Sequence, residues 1–491
     1  MSSFVKIVFM NIVSSPSQPA LVLLRDDFRI TDNPALHAAI NSGKPLICLY
    51  VHDAATTTQG VVKWWLSKAR ATFAATLQQM GGDLAEISGP ATQIIPELAE
   101  KLHIDSVFWN RRYDLSGREQ DTHLKSTLQD AGCTVHSLPG RLLHEPWVLR
   151  TGSDQPYKVF TPWWRALQKL GAPGRSLPAP EKVTFFPWPD DLKNLISKES
   201  EISLPEGACD AEKEWLCSEE TAHELLETFL ETGLTHYSTD RDRPDKDGTS
   251  SLSPYLRAGL LSARQVWHAT EAVMRQKPHL ADQGWTFLSE LGWRDFAWTQ
   301  YFYYPDMATK NLRSEFDHMP WGDDETLFNA WKMGRTGYPL VDAGMRQLYA
   351  TGWMHNRVRM VTASFLTKHL LTDWRKGEKW FRERLADADP AQNAMNWQWC
   401  AGTGIDASPW FRIFNPVGQS EKFDPSGEYI RQWVPELRAL PDKLIHTPWK
   451  AGGDLLRHTA VTAGKRYPAP IVDLKTARAH ALELYKNLPQ N

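Results

Sequence analysis

The sequence predicts two successive architectures: an α/β N-terminal domain, built as a parallel sheet with helices on both faces, and then a large all-α domain. Three observations support this prediction. Short apolar runs alternate with amphipathic stretches from Ala20 to Leu138, a Pro-rich stretch without periodicity follows, and helical periodicity then continues almost to the end. A chain of 491 residues is long enough for two or three domains with large cores.

In the first domain, helical segments at about 33–42, 60–80, 90–103 and 116–131 separate the apolar runs. Apolar runs that alternate with helices are typical of a parallel sheet covered on both faces. Asn33 as a cap and Pro34 in the first turn give the first helix a clear start. No GxGxxG follows the first run, so a dinucleotide-binding assignment is unsupported. The five strands are predicted at ALVLL, PLICLYV, DLAEIS, DSVFWN and CTVHSL.

The predicted domain boundaries follow these changes of pattern. The α/β domain covers residues 19–147, a linker covers 148–211, and the helical domain covers 212–486. Pro density and lost periodicity mark the linker, in which a short helix is expected from Pro162 to Leu170.

Charge and cysteine content narrow the classes of function. The net charge is -3, from 55 Lys plus Arg against 58 Asp plus Glu, so a nucleic-acid site would have to be a local basic patch. Five scattered cysteines show neither CxxC nor a Cys/His zinc spacing, which favours a reducing compartment and argues against a metal.

The sequence also bears on cellular location. No apolar run approaches the roughly 20 residues of a membrane span. The leader MSSFVKIVFMNIVSSPSQP has a short apolar segment after one Lys and faintly resembles a signal peptide. Its positive region is thin, and a disordered or strand-like leader is commoner, so we expect a cytoplasmic protein.

The stretch from Gly352 to Glu428 is far denser in Trp, Asn, Asp and Arg than a plain helical core requires. A helix that starts near Trp353 would place Trp353, Asn356 and Met360 on one face, with Arg357 and Arg359 to its sides. The spacing of three further residues suits a second helix or a tight turn: Asn393, Trp397 and Trp399.

These motifs resemble a known family. WMHNRVRMVTASFL, DWRKGE and NWQWCAGTGIDASPWFRIFNP are similar to the flavin-binding domain of the photolyase/cryptochrome family, specifically its cyclobutane pyrimidine dimer photolyases. The resemblance runs from about Ala20 to Lys486 and is strongest from Tyr237 to Glu436. It implies FAD in the helical domain and an antenna chromophore, methenyltetrahydrofolate or deazaflavin, in the N-terminal domain.

A loop rich in hydroxyls precedes a helix near Ser253, where hydroxyls and backbone N–H groups suit a pyrophosphate. By itself such a cluster is more often an ordinary helix cap. The resemblance assigns flavin contacts to Tyr237, Thr249, Ser250, Ser251, Leu252, Ser253, Trp353, Asn356, Arg359, Asp387, Asp389 and Asn393.

Three of these residues receive specific roles from the resemblance. Asp387 pairs with Arg359 beside the isoalloxazine, Asp389 accepts from the ring edge, and Asn393 faces the reactive nitrogen of the flavin. Without the resemblance, the Asp pair predicts only a turn and a helix cap. Plant cryptochromes carry Asp at the position of Asn393, so Asn favours repair.

Glu290, Trp293 and Arg294 lie at i, i+3 and i+4 of a predicted helix, which alone predicts a surface ion pair beside a buried ring. The resemblance makes Glu290 a contact to the base edges of the lesion and Trp293 a ring beside the flipped dimer. It adds Asn356, Met360 and Trp399 to the same pocket. The (6-4) photolyases and animal cryptochromes typically carry a His pair there, and the DASH group a Gln in place of Met.

The resemblance also implies an electron relay and a DNA surface. Trp397, Trp374 and Trp321 match the relay from flavin to surface, although Trp in a helical core is usually only packing. The residues expected to contact DNA are Arg241, Glu290, Trp293, Arg294, Asn356, Arg357, Arg412 and Lys422.

The sequence motifs do not distinguish between the two antenna chromophores. WNRRYD, from Trp109 to Asp114, resembles the region that helps hold folate in some members. The cysteine that those members carry is missing after Tyr303-Tyr304-Pro305-Asp306.

The sequence therefore predicts light-driven, redox-neutral repair of cyclobutane pyrimidine dimers in DNA by electron transfer from excited, reduced FAD. The alternatives are a cryptochrome photoreceptor, which often carries a long polar tail not seen here, and a (6-4) photolyase. A small-molecule flavoprotein oxidoreductase would need a nicotinamide site, for which there is no Gly-rich fingerprint. Class I and class III both stay open, and a monomer is sufficient.

Overall fold

The N-terminal region contains a five-stranded, fully parallel sheet in the order β3-β2-β1-β4-β5. The structure, a computed structural model, describes residues 18–56, 58–196, 202–455, 457 and 467–489. The predicted leader falls almost entirely in residues 1–17, outside the described residues. Each predicted strand is confirmed to within one residue at either end. The strands are β1 (Ala20–Leu24), β2 (Leu46–His52), β3 (Leu84–Ser88), β4 (Ser106–Asn110) and β5 (Thr134–Leu138).

Helices cover both faces of this sheet, as predicted. Val22 on β1 packs into one apolar core and its neighbour Leu23 into another, because successive side chains of a strand point to opposite faces. The Asn33 side chain accepts from the Leu36 N–H and Pro34 opens the first helix, which confirms the predicted start. The helices of this domain are α1 (Pro34–Asn41), α2 (Val61–Gln79), α3 (Ala91–Lys101) and α4 (Leu115–Asp130).

The segment between the domains contains helix α5 (Phe160–Leu170), which confirms the short helix predicted there. Phe160 stacks on Trp293, with ring centroids 3.7 Å apart, so the connector packs directly on the second domain. Residues 197–201 of the predicted linker lie outside the described residues.

The rest of the chain is largely helical, as predicted. Its helices are α6 (Ala211–Glu214), α7 (Glu219–Glu231), α8 (Tyr237–Asp240), α9 (Ser253–Ala258), α10 (Ala263–Gln276), α11 (Ala281–Tyr303), α12 (Glu325–Lys332), α13 (Pro339–Thr351), α14 (Asn356–Lys368), α15 (Trp374–Arg384), α16 (Pro390–Ala401), α17 (Pro416–Phe423), α18 (Glu428–Trp433), α19 (Asp442–Ile445) and α20 (Leu474–Lys486).

One helix start was predicted wrongly. Helix α14 begins at Asn356, so Trp353 lies in the preceding loop and does not share a helical face with Asn356 and Met360. Gly352 ends α13 in the left-handed conformation, at φ 73°, which turns the chain away from the helix. The His355 Nδ1 then accepts from the Arg357 N–H and caps α14, because the first N–H groups of a helix need external acceptors.

The two domains share one apolar core. Val22 of the sheet and Trp267 of the helical domain belong to the same buried cluster, and the Trp65 indole N–H donates to the Pro254 carbonyl at 2.7 Å. Gly259 has φ 69°, and a Cβ there would lie 2.2 Å from the Asp26 carbonyl oxygen. Only glycine permits this close approach of the two domains.

Membrane-spanning helices, metal-binding groups and cysteines were each considered in the sequence. No helix within the described ranges is long and apolar enough to cross a membrane. Across the same residues, no group of three or more His, Cys, Asp or Glu side chains is placed to hold a metal ion. All five cysteines are free thiols.

Candidate active site

A cavity of about 470 Å³ opens within the helical domain, between helices α11, α14 and α16 and the loops before α9 and α16. This volume lies within the range of about 300–1,000 Å³ that is typical of ligand pockets. Every residue predicted to contact flavin lines it: Tyr237, Thr249, Ser250, Ser251, Leu252, Ser253, Trp353, Asn356, Arg359, Asp387, Asp389 and Asn393. The cavity therefore gathers residues that are up to 156 positions apart in the sequence, counting from 237 to 393.

The hydroxyl-rich loop forms one end of this cavity. Ser251 has φ 51°, a left-handed conformation that costs a non-glycine residue roughly 1–2 kcal/mol. Helix α9, which follows, is only six residues long, so its dipole is small. The loop hydroxyls and N–H groups are consequently the main donors that a pyrophosphate would meet here.

A carboxylate and a guanidinium meet on the cavity wall as the resemblance implied. Arg359 donates from Nη1 and Nη2 to the two oxygens of Asp387, at 3.1 and 2.8 Å. The Ser253 hydroxyl donates to Asp387 Oδ2 at 2.6 Å, which ties this pair to the hydroxyl-rich loop. Burial of Asp387 makes the paired geometry the favourable one for both charges.

Asp389 is held by donors of the protein itself. Its Oδ1 accepts from the N–H groups of Ala391 and Gln392, both at 3.0 Å, and so caps α16. Its Oδ2 accepts from the Trp298 indole at 3.1 Å and from Arg141 at 3.4 Å. Four protein donors thus hold this carboxylate at the cavity wall, and its contact with a flavin ring stays a prediction.

Asn393 is held in a defined orientation. Its Nδ2 donates to the backbone carbonyl of Glu378 at 3.0 Å and to Glu378 Oε1 at 2.9 Å. The amide oxygen is therefore the group left to face the cavity. Glu378 is buried, which raises its pKa, and Arg382 forms an ion pair with it at 3.0 Å. No local sequence pattern indicates that a carboxyl 15 residues earlier orients this amide.

The five residues predicted to carry catalysis line the same cavity: Glu290, Trp293, Asn356, Met360 and Trp399. Glu290 Oε1 forms an ion pair with Arg241 at 2.5 Å, and 34% of the Glu290 side chain is exposed. Asn356 and Met360 lie one turn apart on α14, with Nδ2 and Sδ 4.0 Å from each other. Carboxylate, amide, thioether and indole groups thus face one space.

Arg294 does not lie where the DNA prediction placed it. Its side chain is 6% exposed and donates to Asp295 Oδ1 at 3.1 Å, so it belongs to the inner wall of the cavity and not to a basic surface. Burial lowers the pKa of this guanidinium. The i, i+4 spacing from Glu290 could not reveal this, because Arg294 pairs with its sequence neighbour instead.

The other predicted DNA contacts are more exposed. Arg357 donates to Asp242 at 2.8 Å and lies over the Phe423 ring, 4.6 Å from its centroid. Lys422 lies 5.0 Å from the same ring centroid, so these two cations are neighbours at the rim. Arg412 is exposed and outside the cavity lining.

Of the three predicted relay tryptophans, two are buried and the third is partly exposed. Trp397 lines the cavity and rests on Gly377, where a Cβ would lie 2.2 Å from its ring. Trp374, one turn before Gly377 on α15, is fully buried and donates to Asn311 Oδ1 at 2.9 Å. Trp321 is only partly buried.

Comparison with known proteins identifies the family. Residues 20–181 match the family model for DNA photolyase, and residues 287–487 match the one for the FAD binding domain of DNA photolyase. The chain is 46% identical over 476 residues to a deoxyribodipyrimidine photo-lyase of Agrobacterium fabrum, covering 96% of this chain and 98% of that protein. The chain belongs to the photolyase/cryptochrome family.

Two further matches describe the place of the chain within the photolyase/cryptochrome family. The crystal structure of a bacterial class III photolyase from Agrobacterium tumefaciens is similar at a TM-score of 0.90 and 46% identity, with 97% of this chain and 99% of that chain covered. Cryptochrome-1 of Arabidopsis thaliana is 34% identical, over 96% of this chain and 70% of that protein. The predicted family, fold and FAD domain are confirmed, and photolyase is better supported than cryptochrome.

Several lining residues escaped sequence reasoning. The apolar wall includes Val266, Phe381 and Leu385, which are ordinary core residues by sequence. Arg257 also lines the cavity and donates to the Ala388 carbonyl at 2.7 Å. An arginine one turn after the hydroxyl-rich loop was a signal that could have suggested this role.

Proposed function

We propose that this protein repairs cyclobutane pyrimidine dimers in DNA in a light-driven reaction. The observation that carries the proposal is a single cavity in which the flavin-contact residues and the lesion-contact residues Glu290, Trp293 and Met360 lie side by side. Reduced FAD, when bound here and excited by light, would supply an electron to the dimer and take it back once the two ring bonds have split. The protein supplies burial, orientation and electrostatics.

The residues present fit a flavin. Apolar and aromatic side chains of Trp397, Phe381 and Leu385 provide a wall for a flat ring. The Asn393 amide oxygen is left free by Glu378 to accept from a ring N–H. We assign the hydroxyl-rich loop to the pyrophosphate and the Arg359–Asp387 pair to the ring side.

On the lesion side, the chain provides both polar and apolar groups. Glu290 and Asn356 hydrogen-bond the base edges of the flipped dimer, and Trp293, Trp399 and Met360 pack against its faces. Filling of the cavity by the dimer excludes water and strengthens these hydrogen bonds. Arg241 has to release or share Glu290, which costs less than breaking a buried pair because both side chains are partly exposed.

DNA is held by phosphate contacts at the rim. Arg241, Arg357 and Lys422 form a local basic patch beside the cavity, and we assign the exposed Arg412 to the same DNA surface. Such contacts give affinity without sequence preference and make it dependent on salt. One chain carries the whole site, so we propose a cytoplasmic enzyme that acts as a monomer on damaged DNA, and we assign it to class III.

The experiment is loss of cyclobutane dimers from an irradiated thymine oligonucleotide under blue light, using photoreduced protein and a dark control. Repair in the light only is expected, with Glu290→Ala binding the oligonucleotide normally but repairing it with a lower yield. Undiminished repair by Glu290→Ala would refute the role of this carboxyl. No repair by flavin-loaded wild-type protein would favour the (6-4) lesion, tested with a matched oligonucleotide, or a photoreceptor.

For the relay, we propose that electrons reach the flavin through Trp321, Trp374 and Trp397. Trp374→Phe is expected to slow photoreduction of the oxidised flavin at least tenfold, because a phenyl ring is not oxidised at the required potential. Trp331→Phe is the matched control, since the Trp331 ring lies 6.1 Å from Trp397 but off this route. Equal slowing in both variants would contradict the route, and chemically reduced Trp374→Phe should repair normally.

The antenna site is proposed at the carboxyl end of β4, where WNRRYD lies. Arg111 pairs with Glu145 at 2.8 Å and lies 5.6 Å from the centroid of the Trp147 ring, and 40% of Trp147 is exposed. Methenyltetrahydrofolate or a deazaflavin would stack on such a ring. Reconstitution with each compound, read as energy transfer to flavin in wild type and Trp147→Ala, distinguishes them.

A further inference from the structure

An arginine of the N-terminal domain contacts Asp389, a residue that lines the cavity. Arg141 follows strand β5, and its side chain is 15% exposed. Its guanidinium lies 3.4 Å from Asp26 Oδ2 and 3.4 Å from Asp389 Oδ2, and 4.7 Å from the centroid of the Trp298 ring. Although burial alone lowers it, the charges of Asp26 and Asp389 raise the pKa of Arg141, so this group stays cationic.

A second arginine connects Asp26 to the same cavity. Arg257 Nη1 donates to Asp26 Oδ2 at 2.5 Å, and its Nε donates to the Ala388 carbonyl at 2.7 Å. Asp26 therefore bridges two arginines, and each arginine holds the loop of Ala388 and Asp389, the floor of the cavity.

A third arginine, with an ion pair of its own, completes the cluster. Arg294 donates to Asp295 at 3.1 Å, and Asp295 Oδ2 accepts from the Leu143 N–H of the N-terminal domain at 2.6 Å. We call these six side chains the floor cluster. It has three carboxylates and three guanidinium groups: Asp26, Asp295, Asp389, Arg141, Arg257 and Arg294. Their formal charges cancel, and Arg257, Arg294 and Asp389 line the cavity itself.

We propose that Asp26 and Arg141, which lie outside the helical domain, are positioning residues that set the charge balance at the cavity floor and through it the reduction potential of the bound flavin. Most members of the floor cluster are nearly inaccessible to water, so an unbalanced charge there is poorly screened. The inference rests on the proposed function only through flavin binding. It does not require the lesion or the antenna.

The test is the midpoint potential of the bound flavin in single and double variants. Arg141→Met removes a positive charge and is expected to shift the potential to more negative values, because the reduced, anionic flavin loses a favourable interaction. Asp26→Asn removes a negative charge and is expected to shift it the other way. The second shift should be smaller, since 30% of the Asp26 side chain is exposed.

Two further variants separate charge from packing. Arg141→Lys keeps the charge and should stay close to wild type, and Asp26→Asn/Arg141→Met should return towards the wild-type potential. Arg150→Met, in the adjacent linker, is the control, because its side chain pairs with Asp154 and does not line the cavity. No shift is expected for it.

A merely structural role would give a different pattern. Both single variants would then shift the potential in the same direction and lose flavin together, and the double variant would be worse than either; this result would overturn the inference. Unshifted potentials would overturn it as well. If Arg141→Met does not fold, the direction of the shift in midpoint potential can still be measured in the near-isosteric variant Asp26→Asn. Failure of wild-type protein to repair DNA would overturn the proposed function, whereas these potentials test the floor cluster alone.

Discussion

The rim and the floor of the cavity use the same residue types in opposite ways. At the rim, the Arg241–Glu290 pair has side chains 23% and 34% exposed, and Arg357 pairs with the similarly exposed Asp242. At the floor, Arg294 and Asp295 are 6% and 2% exposed. Rim pairs are reached by water and can exchange partners, whereas floor pairs are fixed by burial.

This difference has an energetic consequence. Fully exposed pairs contribute about 0–1 kcal/mol, and the partly exposed rim pairs lie nearer to this value than buried pairs do, so DNA phosphates and a lesion can replace the partners of Arg357 and Glu290. Removal of one partner from a buried pair typically costs about 3–5 kcal/mol, because the other charge is left uncompensated. Substitutions at the floor should therefore act on stability and flavin, and those at the rim on DNA.

The largest effect is expected from Asp387→Ala, which strips Arg359 of its buried partner. We expect the free energy of unfolding to fall by about 3 kcal/mol, the low end for a buried pair because 24% of the Arg359 side chain is exposed, with loss of flavin during purification. Denaturant unfolding and the flavin-to-protein absorbance ratio measure both. Ser253→Ala removes only one hydrogen bond to Asp387 and should cost about 1 kcal/mol. Equal losses in the two variants would contradict the buried-pair account.

A pH-dependent effect of intermediate size is expected at Asp295. Burial raises the pKa of Asp295 to about 6, above the roughly 3.9 of an unfolded chain. The folded state therefore binds more protons between these values, and this contribution to stability is lost as pH rises from about 4 to 6. The free energy of unfolding of wild type relative to Asp295→Asn should fall over that window by up to about 3 kcal/mol.

The measured quantity is the difference in the free energy of unfolding between wild type and Asp295→Asn, because other buried groups titrate in the same pH range. Burial lowers the pKa of His355 and of His369 to about 4 each, so both proteins lose stability as pH falls below about 6.5. That loss cancels in the difference. Denaturant titrations at several pH values give it, and a difference that does not change with pH would show that Asp295 titrates as in the unfolded chain.

At the rim, Arg357→Ala should weaken DNA binding without unfolding the protein. We expect affinity to fall about tenfold and the slope of log K against log salt to decrease by about 1, as for loss of one phosphate contact. Stability should stay within about 0.5 kcal/mol of wild type. Arg275→Ala, an exposed arginine on α10, is the control for charge alone. A large loss of stability in Arg357→Ala would break the distinction between rim and floor.

The smallest effect is expected from Lys422→Ala, since Lys422 shares the Phe423 ring with Arg357 but is fully at the surface. We expect less than about 1 kcal/mol in DNA binding and no change in flavin content. Fluorescence anisotropy with a dimer-containing oligonucleotide measures it. An effect as large as that of Arg357→Ala would move the centre of the DNA surface towards α17.

Much of the fold followed from the sequence because the signals are local. Apolar runs and helix periodicity located all five strands, and Asn33 and Pro34 marked a helix start. The predicted start of α14 was wrong because the His355 imidazole caps this helix, and histidine is not a residue type from which a cap is predicted. The site residues came together because the resemblance supplied long-range pairings that no local pattern contains.

By itself, the sequence determined the two architectures, the residues that carry chemistry, and the family to which they point. Which charged side chains pair with other groups of the protein became clear only from the tertiary structure. Asp389 is held by Trp298, Arg141 and its own helix, and Arg294 turns inward to Asp295. The reason is that burial and partner choice depend on residues far apart in the chain, whose separation in space the sequence does not state.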